Sequence, residues 1–329
     1  MPEAIPTSAG SAAAIPRPQV PARTPYARFA WGVLGFNLFV IVWGAFVRAS
    51  GSGAGCGSHW PLCNGEVVPR APQLATLIEL GHRATSGIAL LLVVGLVVGA
   101  WRTFPRGHVV RSGAAWSGLF LLTEALIGAG LVLLEYVATD TRVARGYWVG
   151  GHLLNTFLLV AALAVTAWWA SGNAAPSLRG KARIAALLFA GLAGVLLLGI
   201  SGAITALGDT LFPVSTLAEG KAMTFSPTAH AFVRLRIWHP TLAVLVGVLL
   251  VWVAVVAGRA APHPAVRRSA LALLALYALQ LGVGVANVWL LAPITLQLVH
   301  LLLSDLVWIA LILLTASALS AARDVAAAP

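Results

Sequence analysis

Charged side chains are scarce in this chain of 329 residues. They make up 9% of the sequence, whereas 59% of the residues are hydrophobic and the mean hydropathy is +0.90. Typical soluble domains contain about 25% charged residues. The composition therefore excludes an ordinary soluble enzyme and indicates a protein that lies mostly within a membrane.

Cysteine is also rare, with Cys56 and Cys63 as the only two. Two cysteines exclude a zinc site built from four, and the missing Cys-x-x-Cys-His motif argues against covalently attached c-type haem. Both cysteines fall in the first predicted outward loop, residues 50–75, where an oxidising environment favours a disulfide. Such a disulfide either staples the loop or is redox-active, and the sequence leaves both interpretations open.

Acidic residues number 10 against 21 lysines and arginines, which gives a net charge of +11. Most basic residues lie before the first apolar run or after the second, fourth, sixth or last one. Because consecutive spans alternate in direction, all these positions are on one side of the membrane. These basic residues include Arg28, Arg106, Arg179, Arg259 and Arg323. The positive-inside rule places both termini in the cytoplasm. The charge is thus a topology signal, and it argues against nucleic-acid binding.

Eight apolar runs are long enough to cross a bilayer, which takes about 20 residues per helix. They are centred on residues 31–47, 77–100, 113–134, 149–169, 184–206, 239–257, 269–291 and 294–318. The sequence therefore predicts an all-α polytopic membrane protein with eight transmembrane helices. Residues 1–27, rich in proline and alanine, are predicted to be a disordered cytoplasmic tail. The first run is expected to be retained rather than cleaved as a signal peptide.

The two halves of the chain, residues 28–172 and 173–322, resemble each other. The second and sixth runs open at a histidine and end at an arginine, and the third and seventh share a Gly-x-Gly at residues 128–130 and 282–284. Four spans per half is an even number, so both halves would enter the membrane from the same side. The predicted architecture is two four-helix bundles related as parallel repeats.

Four histidines lie near the outer ends of alternate runs: His82, His152, His239 and His300. An ionisable residue in a membrane segment needs a partner and is usually functional. One such histidine alone is more often a satisfied core residue, but four at matching positions favour haem ligation, two per iron. Zinc would need additional ligands. The remaining histidines, predicted to be solvated in loops, are His59, His108, His230 and His263.

One acid distinguishes the two halves. Glu79 lies three residues before His82 and shares its helix face, whereas the second half has Arg236 at the matching position. A carboxylate there would face whatever His82 binds, and an ion pair with Arg83 or Arg48 is the structural alternative. We therefore expect proton chemistry in the first half and a cofactor without such chemistry in the second.

Several arginines on the outer side oppose the positive-inside bias. Arginine can bind a haem propionate through two parallel hydrogen bonds, and contact with lipid headgroups is an equal alternative. The candidate propionate partners are Arg48, Arg83, Arg234 and Arg236. Glu124 and Asp305 lie within predicted spans, where a proton path and interhelical hydrogen bonds account for them equally well.

Two motifs carry a resemblance to a known family. Residues 51–65 read Gly-Ser-Gly-Ala-Gly-Cys-Gly-Ser-His-Trp-Pro-Leu-Cys-Asn-Gly, and Glu79-x-x-His82-Arg83 and the three later histidines follow. Over residues 28–320 the chain resembles haem A synthase, a membrane enzyme of cytochrome oxidase assembly. The resemblance implies an oxidoreductase that converts a ring methyl of haem O to a formyl group by successive hydroxylations.

The resemblance also implies roles for individual residues. It places the substrate haem O between His82 and His152, and it makes His239 and His300 the iron ligands of a resident haem b. Glu79 matches an essential acid near the substrate methyl, where it would accept a proton or stabilise developing positive charge.

The cysteines fit this resemblance with one departure. The Cys56–Cys63 pair matches family members that carry a loop disulfide. Some relatives have a second cysteine pair in the third outward loop, which here spans residues 207–237 and has none. A mechanism that requires two pairs is therefore not expected for this chain.

The implied partners are a farnesyltransferase that supplies haem O through the bilayer, an unidentified electron-transfer protein and membrane lipid. The sequence also allows a homo-oligomer, and the expected location is the cell membrane. Two rival functions remain: a dihaem b-type electron carrier, and a haem transporter or chaperone, since parallel repeats occur in transporters. Glu79 disfavours the carrier, which has little use for an acid at only one of its sites.

Overall fold

A computed structural model of the chain describes residues 25–320, and within that range the chain forms helices and loops without a β-strand. In chain order the α-helices are α1 (Pro25–Ala49), α2 (Leu74–Thr103), α3 (Val109–Leu133), α4 (Val143–Ala170), α5 (Ala182–Leu211), α6 (Leu217–Phe225), α7 (Ala231–Arg234), α8 (Trp238–Ala260), α9 (Pro264–Trp289) and α10 (Ile294–Leu319). The predicted tail, residues 1–27, lies outside the described residues except for 25–27, which belong to α1.

Eight of these segments are long and apolar enough to cross a membrane, with α7 and α8 together forming the sixth. The all-α class and the eight spans are therefore confirmed, and the protein is a multi-pass membrane protein. The short helix α6 lies in the loop between α5 and α8, which the sequence does not predict to contain a helix.

Two helices end slightly earlier than their apolar runs. The ends are marked by left-handed residues, Glu135 after α3 (φ 59°) and Leu291 and Ala292 after α9 (φ 58° and 54°). The backbone N–H of Ala292 then donates to the carbonyl of Asn287 at 2.7 Å, which satisfies an acceptor at the end of α9. Glycine normally occupies such positions, so hydropathy alone does not reveal these ends.

Three of the loop histidines cap helices. Nδ1 of His108, His230 and His263 accepts a hydrogen bond from the backbone N–H two residues later, at 3.3, 3.3 and 3.2 Å. Each satisfies one of the free N–H groups at the start of a helix. This capping role is additional to the solvated loop position that the sequence predicts for them.

Helix neighbours form two closed sets. In the first set each of α1, α2, α3 and α4 contacts the next, and α4 also contacts α1. In the second set each of α5, α8, α9 and α10 contacts the next, and α10 also contacts α5. The two sets meet where α4 contacts α5 and α10, and where α1 contacts α10. The parallel repeat itself stays a prediction.

The basic loops share one side of this fold. Because successive spans alternate in direction, the connections α2–α3, α4–α5 and α8–α9 lie on the side where α1 begins and α10 ends. Arg106, Arg179 and Arg267 are in or next to those connections. The assignment of this side to the cytoplasm follows from the positive-inside rule and stays a prediction.

The interface between the two sets is centred on α4 and α10, which are the most buried spans. The indole Nε1–H of Trp308 donates to the carbonyl of Phe157 at 2.7 Å, and the two rings stack with centroids 5.3 Å apart. Trp308 is 2% exposed. This pair joins α10 to α4. On each helix the aromatic residue lies about one to two turns C-terminal to the histidine, His152 on α4 and His300 on α10.

We expect Trp308→Ala to lower the free energy of unfolding by about 3–5 kcal/mol, because it removes a large buried side chain and leaves a cavity. Trp308→Phe keeps a ring against Phe157 and loses chiefly the Nε1–H hydrogen bond, so its expected loss is about 1–2 kcal/mol. Denaturant unfolding of the detergent-purified protein, followed by circular dichroism, measures both. Equal losses in the two variants would contradict this account of the interface.

Candidate functional site

His82 and His239 occupy the same kind of position in the two halves. His82 of α2 faces α1 at Gly44, and His239 of α8 faces α5 at Gly202. A Cβ atom at Gly44 would lie 2.9 Å from Cε1 of His82, and a Cβ atom at Gly202 would lie 2.9 Å from Cε1 of His239. Both glycines thus leave space for an imidazole that a larger residue would displace.

His152 and His300 also face glycines of the preceding span, but in a different register. A Cβ atom at Gly128 of α3 would lie 3.7 Å from Nε2 of His152, whereas one at Gly284 of α9 would lie 3.2 Å from Cε1 of His300. In the aligned Gly-x-Gly motifs, Gly128 corresponds to Gly282. The glycine that faces the histidine is therefore displaced by two residues between the halves.

The histidines form one pair in each half. The ring centroids of His239 and His300 are 6.3 Å apart, and the ring planes are nearly perpendicular at 82°. His82 lies within electrostatic range of His152 and of Glu124. His239 and His300 are thus brought together as a pair, and His82 and His152 lie within electrostatic range of each other. In each half one histidine lies on α2 or α8 and the other on α4 or α10.

The second ring nitrogen, Nδ1, has a different environment in each histidine. Nδ1 of His239 lies 3.0 Å from the hydroxyl of Ser201, which itself donates to the carbonyl of Leu198 at 2.7 Å. The partner of Nδ1 in His239 is therefore a neutral hydroxyl. Nδ1 of His82 and of His300 is buried without a hydrogen-bond partner among residues 25–320.

His152 differs from the other three histidines because a carboxylate approaches it. Its Nδ1 lies 2.9 Å from Oε1 of Glu124, at hydrogen-bonding distance but off the direct line of the N–H bond. Glu124 of α3 also accepts from Nδ2 of Asn155 at 2.6 Å and from the hydroxyl of Thr156. The fully buried Asp305 of α10 lies within electrostatic range of Glu124, and its carboxyl oxygens have no hydrogen-bond partner among the described residues.

Glu79 is held by partners near the N-terminal end of α2. Its Oε1 accepts from the Arg83 guanidinium at 2.5 Å, and its Oε2 accepts from the backbone N–H of Cys56 at 2.9 Å. Glu79 is 3% exposed. The ion pair that the sequence offered as the structural alternative for Glu79 is therefore present.

The cysteine loop is fastened to α2 through these same residues. Cys56 and Cys63 form a disulfide, as expected. Arg83 donates to the carbonyls of His59 at 2.8 Å and Leu62 at 2.5 Å, and the hydroxyl of Thr76 donates to the carbonyl of Gly55 at 2.8 Å. Movement of the loop would therefore disturb the Glu79 carboxylate.

Arg236, which aligns with Glu79 in the sequence, forms an ion pair with Asp209. Its Nε lies 2.8 Å from Oδ1 of Asp209 on α5, and its terminal nitrogen donates to the carbonyls of Gly208 and Phe212 at 2.8 and 2.9 Å. Both halves thus contain a carboxylate–guanidinium pair, but in the second half the acid comes from a neighbouring helix. Alignment of the two halves does not reveal that Asp209 supplies the acid in the second half, because Asp209 lies on a different helix.

Arg48 of α1 joins three helices. Its guanidinium donates to the carbonyl of Ala206 at 2.9 Å and to the hydroxyl of Thr210 at 2.8 Å, both on α5. It also donates to the side-chain oxygen of Gln297 on α10 at 3.0 Å. Three of the four candidate propionate partners, Arg48, Arg83 and Arg236, are thus bonded to protein groups. Arg234 is exposed at the end of α7.

The histidine pairs fit a haem better than a bare metal ion. A metal–imidazole bond is about 2 Å long, so two imidazoles on opposite sides of one ion have ring centres roughly 6 Å apart. The 6.3 Å between His239 and His300 matches that spacing. Residues 25–320 contain no group of three or more histidine, cysteine or acidic side chains placed to hold a metal. Two imidazoles form the axial ligand set of a six-coordinate porphyrin iron.

Sequence reasoning missed the partners of these histidines. Glu124 stands out in the sequence as an acid within a span, but its contact with His152 joins residues on two different helices. Ser201 belongs to a Ser-Gly-Ala segment whose only visible signal is its small residues. An i, i+3 or i, i+4 pattern could not find either contact, because that pattern identifies neighbours on the same helix.

Comparison with known proteins places the chain among oxidase assembly proteins. A family model described as "Cytochrome oxidase assembly protein" matches residues 27–312. Two proteins from different strains of Thermus thermophilus, both named protoheme IX farnesyltransferase, are 49% identical to this chain over 301 residues. Those residues are 92% of this chain and 50% of each relative, so the chain spans about half the length of these relatives.

A second group of relatives is similar over a shorter stretch. Heme A synthase of Bacillus cereus strain AH187 is 45% identical over 96 residues, which are 29% of this chain and 31% of that protein. Heme A synthase of Bacillus anthracis strain CDC 684 gives the same values. The resemblance found in the cysteine loop and the Glu-x-x-His-Arg motif is thereby confirmed. Because the family model covers most of the chain, this protein belongs to the cytochrome oxidase assembly protein family.

Proposed function

We propose that this protein is a haem A synthase that oxidises a ring methyl of haem O to a formyl group by successive hydroxylations. The observation that carries the proposal is a two-histidine site in each half, of which only the first has an acid on the helix face of its histidine. The membership of the oxidase assembly family and the similarity to heme A synthases support it.

In this proposal His82 and His152 hold the iron of the substrate haem O. Gly44 and Gly128 leave room for the two rings, so the position of the substrate is set by helices α1 to α4. The outer faces of α2 and α3 are apolar and exposed, which suits entry of a farnesylated haem from the bilayer. Rigid positioning of a reacting group near its catalytic groups is itself a large part of catalysis.

Glu79 would act electrostatically. Its two carboxylate oxygens already accept hydrogen bonds from Arg83 and from the Cys56 N–H. These two contacts hold the carboxylate in place, and a fixed negative charge stabilises positive charge that develops nearby. Of the two roles implied by the family resemblance, charge stabilisation therefore agrees better with these contacts than proton acceptance does.

His239 and His300 would ligate a resident haem b in the second half. Haem b, when bound, would carry electrons between the substrate site and an electron-transfer partner at the membrane surface. The hydroxyl of Ser201 contacts Nδ1 of His239, which leaves Nε2 of that ring free to bind iron. Arg234 is the candidate partner for a propionate at this site, because the other outer arginines are engaged with protein groups.

The Thermus relatives bear on where the substrate comes from. Their name is protoheme IX farnesyltransferase, and this chain covers only half of their length. We propose that farnesyl transfer resides in the half that this chain does not cover. A farnesyltransferase would then supply haem O to this protein, in a cell membrane where both termini face the cytoplasm.

Farnesyl transfer by this chain itself is the second candidate, because of that printed name. Transfer from a diphosphate usually relies on Mg²⁺ held by carboxylates and substrate phosphates. The acids of residues 25–320 are dispersed, and none belongs to a cluster of three potential ligands. Purified protein given haem B and a farnesyl donor is therefore expected to form no haem O, whereas haem O formation would favour this candidate.

Glu79→Gln should lower the conversion of haem O to haem A by about 100-fold, because it removes one fixed charge at the reacting group. Pigment extraction and chromatography from cells that make haem O measure the conversion. Glu66→Gln, at an exposed acid of the cysteine loop, is the matched control and should behave like the wild type. Wild-type accumulation of haem A in Glu79→Gln would refute the proposed role of Glu79.

The two histidine pairs should respond differently to substitution. His239→Ala and His300→Ala should abolish the haem b absorption spectrum of the purified protein, because each removes an axial ligand. His82→Ala and His152→Ala should leave that spectrum largely intact, and His59→Ala, in the exposed loop, is the control. If both C-terminal variants kept the wild-type spectrum, the assignment of haem b to the second half would be wrong.

A further inference from the structure

Glu124 has no part in the function proposed above, yet it is the most connected acid between two spans. Three side chains of α4 place a nitrogen or hydroxyl group within hydrogen-bonding distance of its carboxylate. Nδ1 of His152 lies 2.9 Å from Oε1, Nδ2 of Asn155 donates to Oε2 at 2.6 Å, and the hydroxyl of Thr156 donates to Oε1. The Glu124 side chain is 17% exposed.

The other three histidines lack a charged partner at Nδ1. His239 has the neutral hydroxyl of Ser201, and Nδ1 of His82 and of His300 has no partner among the described residues. The carboxylate at His152 is therefore a specific property of the first half. It is supplied by α3, the helix that also provides Gly128 beside Nε2 of the same ring.

A carboxylate at this position changes an imidazole in two ways. An acceptor at Nδ1 fixes the tautomer in which Nδ1 carries the proton, so the lone pair on Nε2 is available to a metal. A negatively charged acceptor also makes the ring a stronger electron donor to that metal. A stronger axial donor stabilises the oxidised state of a haem iron relative to the reduced state.

We propose that Glu124 is a positioning residue that acts through His152 and holds the iron of the N-terminal haem in favour of its oxidised state. The proposal rests on His152 being a haem ligand, as the proposed function has it. It implies different reduction potentials for the haems of the two halves. In the first half a carboxylate lies beside a histidine ligand, and in the second half a neutral serine does. No step of the proposal requires Glu124 to gain or lose a proton.

Thr156 provides a variant with the opposite expected effect. Its hydroxyl donates to the same Glu124 oxygen that approaches His152, as well as to the carbonyl of His152 at 2.9 Å, so it competes with Nδ1 for that oxygen. Thr156→Val keeps the shape of the side chain and removes this competitor, which should strengthen the contact between Glu124 and His152. Glu124→Gln keeps a possible acceptor and removes the charge, which should weaken it.

The experiment is a spectroelectrochemical titration of the full-length protein, purified in detergent and saturated with haem B at both sites. The N-terminal haem is identified as the signal that His82→Ala loses. Glu124→Gln should raise the ratio of ferrous to ferric haem at this site at least tenfold at a fixed potential, which corresponds to about 59 mV for a one-electron couple. Thr156→Val should lower the ratio. Ser201→Ala, the matched control in the second half, should leave the N-terminal haem within about twofold of the wild type, because it alters the other pair only.

The proposal is overturned if the ferrous to ferric ratio in Glu124→Gln stays below the tenfold increase, or if Glu124→Gln and Thr156→Val shift it in the same direction. If Glu124→Gln binds no haem at this site, the test rests on Thr156→Val alone. An unchanged or raised ratio of ferrous to ferric haem in Thr156→Val then overturns the proposal. A merely structural role for Glu124 predicts no shifts of opposite sign.

Failure of the proposed function has a different signature. If the potentials shift as expected but the wild-type protein forms no haem A from haem O, the synthase proposal falls and the role of Glu124 stands. If the wild-type protein forms haem A but the potentials do not respond, the synthase proposal stands and the role of Glu124 falls.

Discussion

Hydrogen bonding in a medium without water constrains the polar side chains that lie between the helices of this protein. An unpartnered polar group in hydrocarbon costs several kcal/mol, so a partner on a neighbouring segment is strongly favoured. Arg48 does so by joining α1 to α5 and α10, and Glu124 does so by joining α3 to α4. The same contacts that satisfy these groups fix the relative positions of the helices. The packing of the bundle and the placement of the four histidines are therefore set by one group of interactions.

The two halves use similar parts for different purposes. Each has a histidine pair, a glycine facing each ring and a carboxylate–guanidinium pair near the outer end. In the first half both members of that pair, Glu79 and Arg83, come from α2 and hold the cysteine loop. In the second half Asp209 of α5 holds Arg236 beside α8. A shared helical frame thus carries two environments, which is what a substrate site and an electron-carrying site would each require.

The spans and the positions of the histidines could be predicted because they depend on local sequence. Hydropathy identifies a membrane helix from about 20 consecutive residues, and the histidines are noticeable against that background. The contact between Glu124 and His152 could not be predicted, because it depends on the rotation of α3 relative to α4. For the same reason alignment of the two halves does not show that Gly128 and Gly284, rather than two aligned glycines, face the rings. Rotation of one helix against another is decided by packing throughout the bundle and leaves no short pattern in the sequence.

The contacts of Arg83 with the cysteine loop have an implication for how that loop can evolve. Arg83 donates to main-chain carbonyls, those of His59 and Leu62, and not to side chains of the loop. Every amino acid supplies the same carbonyl oxygen, so the anchoring does not depend on which residues occupy those positions. The exposed side chains there are free to diversify, for instance to suit a different protein docking on this loop, while the backbone path and the Glu79 carboxylate remain in place.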